Sequence, residues 1–264
     1  MLNTSLYFLF LRAGLLAALM ISAAANAETL NVVSSGGFAA AYKQLAPGYE
    51  KVSGQRLHAE WGASMGETAN AIPQRLARHE PIDVVIMVGD ALDKLMDSGQ
   101  LAAGSKVHLA DSRIACAVPH GAPHPDITTL EGLKSALLSA GSVAWSDSAS
   151  GEYIEKEMLK KLEIEDAVRA KGHKIPGTPV GAIVARHDAD FGCQQRSELM
   201  PVAGIDIVGD LPEQVQYITE FSAAVVASSA HPAEATRFLD FLAASQNAAV
   251  IRETGLEPGP SEKK

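Results

Sequence analysis

The stretch Thr29-Leu-Asn-Val-Val-Ser34-Ser-Gly-Gly37-Phe38-Ala-Ala-Ala-Tyr42-Lys-Gln-Leu45-Ala-Pro-Gly-Tyr49 decides the fold. It opens on a short apolar run, Thr29–Ser34, that reads as a β-strand. Ser35-Gly-Gly37 follows at once. Phe38, Tyr42, Leu45 and Tyr49 then recur every three or four residues, which places them on one face of a helix. A strand that passes through a Ser/Gly cluster directly into a helix is the opening of a β-α-β unit.

The same pattern continues outward along the chain. Arg56–Trp61 reads as a second strand. It runs into Gly62-Ala-Ser-Met-Gly66 and a helical stretch over Glu67–Arg78. Asp83–Val88 is a third strand, followed by a short helix over Ala91–Ser98. Ser112–Val118 reads as one further strand, ended by Pro119-His-Gly121. Leu130–Ala140 has helical spacing. Ser142–Trp145 is a strand that enters Ser146-Asp-Ser-Ala-Ser-Gly151, with a helix over Glu152–Leu162. Val180–Arg186 supplies one or two helical turns, and Phe191–Gln195 and Ile205–Val208 are strands. Val215–Ala227 is long, apolar and rich in strand formers. Pro232–Thr254 closes the chain as an amphipathic helix, with Pro232 just inside its start and Gly255 just past its end. Strands alternating with helices predict an α/β fold. No internal repeat or long linker interrupts it.

Length and composition agree with this. The chain has 264 residues, which at about 150 residues per domain predicts one or two domains. It is 47% hydrophobic and 20% charged, so extensive disorder is excluded, and two cysteines exclude a disulfide scaffold. The net charge of −9 excludes a basic surface for sequence-independent nucleic-acid binding. It does not exclude a small anion, because an anion site needs only local donors.

Residues 1–27 read as a cleaved secretory signal. They contain no acid, one base (Arg12) ahead of the apolar run Ala13–Met20, and Ala25-Asn-Ala27 as a small-x-small cleavage site. The mature protein is then expected in the periplasm, with no stable membrane insertion, since no later stretch is long and apolar enough to span a bilayer. Cys116 and Cys193 lie in apolar strand-like runs. They read as buried free thiols, with a disulfide as the alternative. Neither has a His or Cys at ligand spacing, so no metal is expected.

Three strand-to-helix junctions carry the chemistry: Ser34-Ser-Gly-Gly37, Gly62–Gly66 and Ser146–Gly151. Helix N-termini present free N–H groups and the positive end of the helix dipole, glycine admits a ligand to the backbone, and serine adds a hydroxyl. Ligands of open α/β sheets sit beyond the carboxyl ends of strands, so the three junctions are placed to converge on one anion. The candidate binding residues are Ser34, Ser35, Gly36, Gly37, Ser64, Met65, Gly66, Ser148, Ser150, Gly151 and Gln195. Taken singly, each cluster reads as a helix cap without a ligand; it is the recurrence at three junctions that raises the anion pocket beside that reading. Trp61 and Trp145 end strands beside the clusters, as core or as pocket wall. Arg75 and the turn Arg186–Asp190 read as solvated surface. There is no nucleophile elbow, P-loop or HExxH motif.

The chain resembles the molybdate-binding-protein-like group of type II periplasmic solute-binding proteins. The resemblance runs over nearly the whole mature chain. It rests on Leu30–Leu45, on Pro81-Ile-Asp-Val-Val-Ile-Met87, and on Phe238–Pro258 with its Gly255-Leu-Glu-Pro258. It implies two α/β lobes, about 28–110 plus 218–264 and about 111–217, with the ligand in the cleft between them. Members typically begin Ala-Ala-Ala-Ser-Leu, where the Ser hydroxyl holds the oxyanion. Here Gly37 stands at that Ser. Ser64 matches a second family serine, Ser150 a backbone donor, and Gln195 falls near a family tyrosine. The departures at Gly37 and Gln195 imply a roomier anion than molybdate.

Two functions follow from the resemblance. One is an exported isomerase that interconverts the cis and trans forms of the tricarboxylate aconitate by an allylic proton shift. It needs many donors and a base with a pKa near neutrality. Glu67, Tyr153, Asp147 and His187 are the candidate bases, and proton transfer calls for no cofactor. The other is a transport receptor that delivers an oxyanion or organic acid to an ABC permease, with the same donors and no base.

Overall fold

The computed structural model describes residues 29–260. The signal-peptide reading therefore lies outside the described residues. The chain forms two α/β lobes, each built on its own sheet. The first sheet contains β1 (Thr29–Ser34), β2 (Arg56–Trp61), β3 (Val84–Val88), β4 (Val107–Ser112), β10 (Thr219–Val225) and β11 (Leu256–Pro258), in the order β11-β4-β10-β3-β1-β2. The second contains β5 (Ile114–Pro119), β6 (Val143–Ser146), β7 (Gly172–Ile175), β8 (Phe191–Gln195) and β9 (Ile205–Asp210), in the order β7-β6-β8-β5-β9.

In each sheet the pairing is mixed. β1 lies parallel to β2 and β3, and β10 runs antiparallel between β3 and β4. β6 lies parallel to β7 and β8, whereas β5 is antiparallel to β8 and β9. β3 is buried along its whole length, as expected of a strand covered on both faces. The core of the first lobe joins it to Phe38, Tyr42, Leu45 and Tyr49 of helix α1 (Gly36–Ser53) and to Phe238 and Leu242 of the C-terminal helix.

The structure corrects several element readings. The strand expected over Ser112–Val118 is β5, which begins only at Ile114; Ser112 instead ends β4, a strand the sequence reading missed, and across Arg113 the chain passes from one sheet to the other. The stretch Glu67–Arg78 is helical only over α2 (Ile72–Ala77). Gly66 at φ +99° breaks the regular backbone before it, and Pro at the helix start sets where it begins. The closing helix is interrupted after Ala243 and resumes over Ala248–Glu253.

Cys116 and Cys193 are not free thiols. They face each other across the antiparallel pair β5–β8 and form a disulfide. The reading as free thiols followed from apolar surroundings, which a buried disulfide shares. Only strand register brings two cysteines, 77 residues apart, into range.

Candidate functional site

The carboxyl ends of β1, β2 and β6 do converge. They line one cavity of about 210 Å³ between the sheets, together with residues that follow β8. α1 starts directly after β1, and Ser35 occupies the position that normally caps a helix. Its hydroxyl does not cap it. Ser35 is 4% exposed and its Oγ has no hydrogen-bond partner. A buried hydroxyl without a partner at a helix N-terminus is a donor held ready for a ligand.

The second junction supplies Ser64. Its Oγ accepts the Val88 N–H at 3.0 Å, so its proton is left to donate into the cavity. At the third, Ser146 and Ser150 lie with their hydroxyls 3.3 Å apart, and Ser148 and Asp147 complete the wall. Beside them, at the end of the neighbouring strand β8, stands Gln195, whose Nε2 donates to Thr219 Oγ1 at 2.7 Å while Oε1 is buried without a partner. The two ends of an amide exchange by a flip, and the Thr219 hydroxyl can donate or accept. Gln195 can therefore turn either an acceptor or an NH₂ toward the cavity.

The carboxyl that the sequence reading missed is Glu198. It lies on α8 (Arg196–Leu199), the short helix after β8, and lines the cavity. Burial pushes its pKa up to about 7, against a partly opposing hydrogen bond from Gln194. Gln194 is itself fixed, because its Oε1 accepts the Val180 N–H at 2.8 Å. Glu198 crosses to the other lobe: a methyl group on Gly36 would collide with its Oε1. Beside it, Ser197 Oγ donates to the Gly37 carbonyl at 2.8 Å. Nothing local marked Glu198 as functional. It follows a strand by three residues in an unremarkable Arg-Ser-Glu-Leu turn, and only the docking of α8 on α1 half-buries it.

The structure divides the other candidates. Ser35, Gly36, Gly37, Ser64, Ser148, Ser150, Gln195 and Asp147 line the cavity. Ser34, Met65, Gly66 and Gly151 do not. Ser34 donates to the Ser35 carbonyl at 3.0 Å, and Met65 packs on the first-lobe core. Gly66 closes against Asp147, and Gly151 leaves room for the Ser146 carbonyl. Gly37 does not enlarge the cavity, because the Phe221 ring occupies the place of its missing side chain. Trp61 is cavity wall, with Lys43 4.9 Å above its ring, and Trp145 is core.

Three of the four candidate bases are elsewhere. Glu67 is exposed and accepts from Gln74 at 3.3 Å. His187 is exposed in a left-handed turn at φ +60°. Tyr153 is buried, stacks on Tyr217 at 4.9 Å, and donates to the Val215 carbonyl at 2.9 Å. Its work is structural. Tyr153→Phe is expected to cost about 1–2 kcal/mol of stability, because Val215 loses its donor. A urea melt reads this directly, and an unchanged midpoint would show the bond to be dispensable.

Among the described residues no three His, Cys, Asp or Glu side chains converge to hold a metal ion. No helix among them is long and apolar enough to cross a membrane.

Residues 30–257 match the family of bacterial extracellular solute-binding proteins. An aconitate isomerase from a Pseudomonas species is 48% identical over 254 residues, covering 96% of this chain and 97% of its own. Among solved structures, the periplasmic molybdate-binding protein of Azotobacter vinelandii superposes with a TM-score of 0.71 at 20% identity, over 88% of this chain and all of its own. The substrate-binding domain of a molybdenum ABC transporter component from Clostridium difficile superposes with a TM-score of 0.65 at 20% identity, over 88% and 99%. At that identity these structures bear on fold alone.

Proposed function

Because this chain belongs to the bacterial extracellular solute-binding protein family, in which the common task is to hold a solute, we propose that it is a member that also transforms its solute, an isomerase interconverting cis- and trans-aconitate. The observation that carries the catalytic reading is Glu198: a carboxyl with its pKa near neutrality, lining a cavity whose other polar groups are mostly hydroxyls and amides.

The cavity is large enough for the task. Its 210 Å³ is room for roughly seven waters at about 30 Å³ each, comparable with the bulk of a six-carbon triacid. Ser35, Ser64 and Ser150 and the free N–H groups at the start of α1 hold the carboxylates. Glu198, as carboxylate, takes a proton from the CH₂ of the substrate. The C–H electron pair forms the new double bond, the old double bond shifts its pair toward the far carbon, and the negative charge spreads onto a carboxylate. Hydroxyl and N–H donors aimed at that carboxylate stabilise the charge. Glu198, now protonated, returns the proton at the far carbon, and rotation in the dienolate-like intermediate sets the geometry of the product.

We place the protein in the periplasm after cleavage at Ala27, where the Cys116–Cys193 disulfide persists. The mass of the protein recovered from a periplasmic extract tests this.

The deciding experiment follows cis-aconitate with the mature protein by NMR. Trans-aconitate formed at a catalytic rate is the expected result. No turnover, together with a melting shift on adding molybdate or one organic acid, returns the chain to the receptor class and to an ABC permease as partner. Gly36→Ala probes the same assignment from the other lobe. The added methyl displaces a flexible carboxyl end rather than backbone, so stability changes little. The base is moved by about an ångström, and turnover is expected to fall by on the order of 10²-fold. Unaltered kinetics would remove Glu198 from the reaction.

A further inference from the structure

An anion cavity ordinarily answers its ligand with positive charge. Here, among the described residues that line it, none is Lys, Arg or His, and two are acids, Asp147 and Glu198. On the reading above, its occupant is a tricarboxylate with three negative charges near neutral pH. Neutral donors can satisfy the oxygens, but they cannot cancel like-charge repulsion inside a partly closed site.

We propose that the tricarboxylate enters together with one proton, which Glu198 and the ligand share, so that binding is coupled to proton uptake. The surroundings of Glu198 support this. α8 packs against α1, β5, β8 and α7 (Val180–Ala185). The titratable groups on α1 are Tyr42, Lys43, Tyr49, Glu50 and Lys51; β5, β8 and α7 carry no charged residue. Lys43 is engaged over Trp61, and on α8 itself Arg196 is bound to Asp210 at 2.8 Å. Among the described residues no cation faces Glu198 to hold it ionised, and Gln194, its polar partner, is neutral. In the free protein burial already holds its proton to about pH 7. The charge of the ligand then holds a proton in the site more tightly still, so above pH 7 one must be acquired on binding, and it rests on a ligand carboxyl whenever Glu198 acts as the carboxylate base.

The inference rests on the tricarboxylate reading and is testable apart from turnover. The probe is tricarballylate, the saturated analogue, which has no double bond to shift. Calorimetric titrations in buffers of different ionisation enthalpy count the protons. At pH 8 about one proton is expected to be taken up per ligand, falling toward zero near pH 6. The dissociation constant is expected to rise roughly ten-fold per pH unit above about pH 7.5. Glu198→Gln, permanently neutral, is expected to bind with no uptake and with a flat profile over that range. Asp147→Asn is expected to keep the uptake of the parent. Binding without proton uptake, or uptake that survives in Glu198→Gln or vanishes in Asp147→Asn, overturns the inference and leaves the tricarboxylate site standing. No binding of tricarballylate to the parent at any pH between 6 and 9 overturns both.

Discussion

Glu198→Gln is expected to lower kcat for aconitate interconversion by about 10²–10⁴-fold, the usual contribution of a positioned acid–base group. The amide keeps the shape of the side chain and its contact with Gln194, but it cannot accept a carbon-bound proton. Binding should survive, so the loss belongs in kcat rather than in KM. The same substitution has a second signature, in stability. The folded protein holds the Glu198 proton to about pH 7, above the ordinary value of 4.5. At pH 4 both folded and unfolded chains are protonated and the site costs nothing. As the pH rises the unfolded chain ionises first, and stability falls until the folded carboxyl has also ionised, at about pH 7. The full cost is on the order of 3 kcal/mol at most. Gln carries no such cost. The variant is therefore expected to melt higher than the parent at pH 8 and alike at pH 4, the pattern of a residue retained for function against stability. Turnover within ten-fold of the parent, or equal melting at pH 8, would remove Glu198 as the base.

Replacing Cys116 and Cys193 together with alanine is expected to cost about 2–5 kcal/mol. The bond closes a long segment of the second lobe, and both cysteines are buried at the centre of its sheet, at 0% and 2% exposure. The double variant also trades two well-packed sulfurs for methyls, so the parent under reducing conditions is the companion measurement. It isolates the crosslink. Urea midpoints of the three samples separate the contributions, and a difference below about 1 kcal/mol between oxidised and reduced parent would show the crosslink to be dispensable. Gln194 and Gln195 follow Cys193 directly, so the crosslinked lobe is expected to hold the ligand more tightly as well.

Much of this was legible in the sequence because the relevant signals are local. Phe38, Tyr42, Leu45 and Tyr49 declare a helix by spacing alone, and the three Ser/Gly junctions declare where strands end. Seven of the eleven candidate binding residues line the cavity for that reason. What was not legible depends on packing between distant segments. β4 escaped notice because Val107–Ser112 is half polar and lacks the apolar run of β5, and its place is set by pairing with β10 and β11 from the far end of the chain. Gly37 suggested extra room, but Phe221, from near the end of the chain, fills it. Glu67 and Asp147 are similarly acidic beside Ser/Gly clusters, yet one is exposed at a turn and the other lines the cavity. Glu198 has no local mark, since its environment is made by a helix in the other lobe.

The position of β10 also bears on the order in which the molecule can assemble. The second sheet draws all five of its strands from one continuous segment, residues 114–210, and can close as soon as that segment exists. The first cannot. β4 pairs only with β10 and β11, so it waits unpaired until the chain has passed through the whole of the other lobe. Such distant pairing is slow to form. It also means that a chain interrupted between Ser112 and Thr219 leaves its first sheet in two unjoined pieces and lacks Phe221 in the cavity wall. β10 thus finishes the pocket, and a chain that stops short of it lacks part of the site.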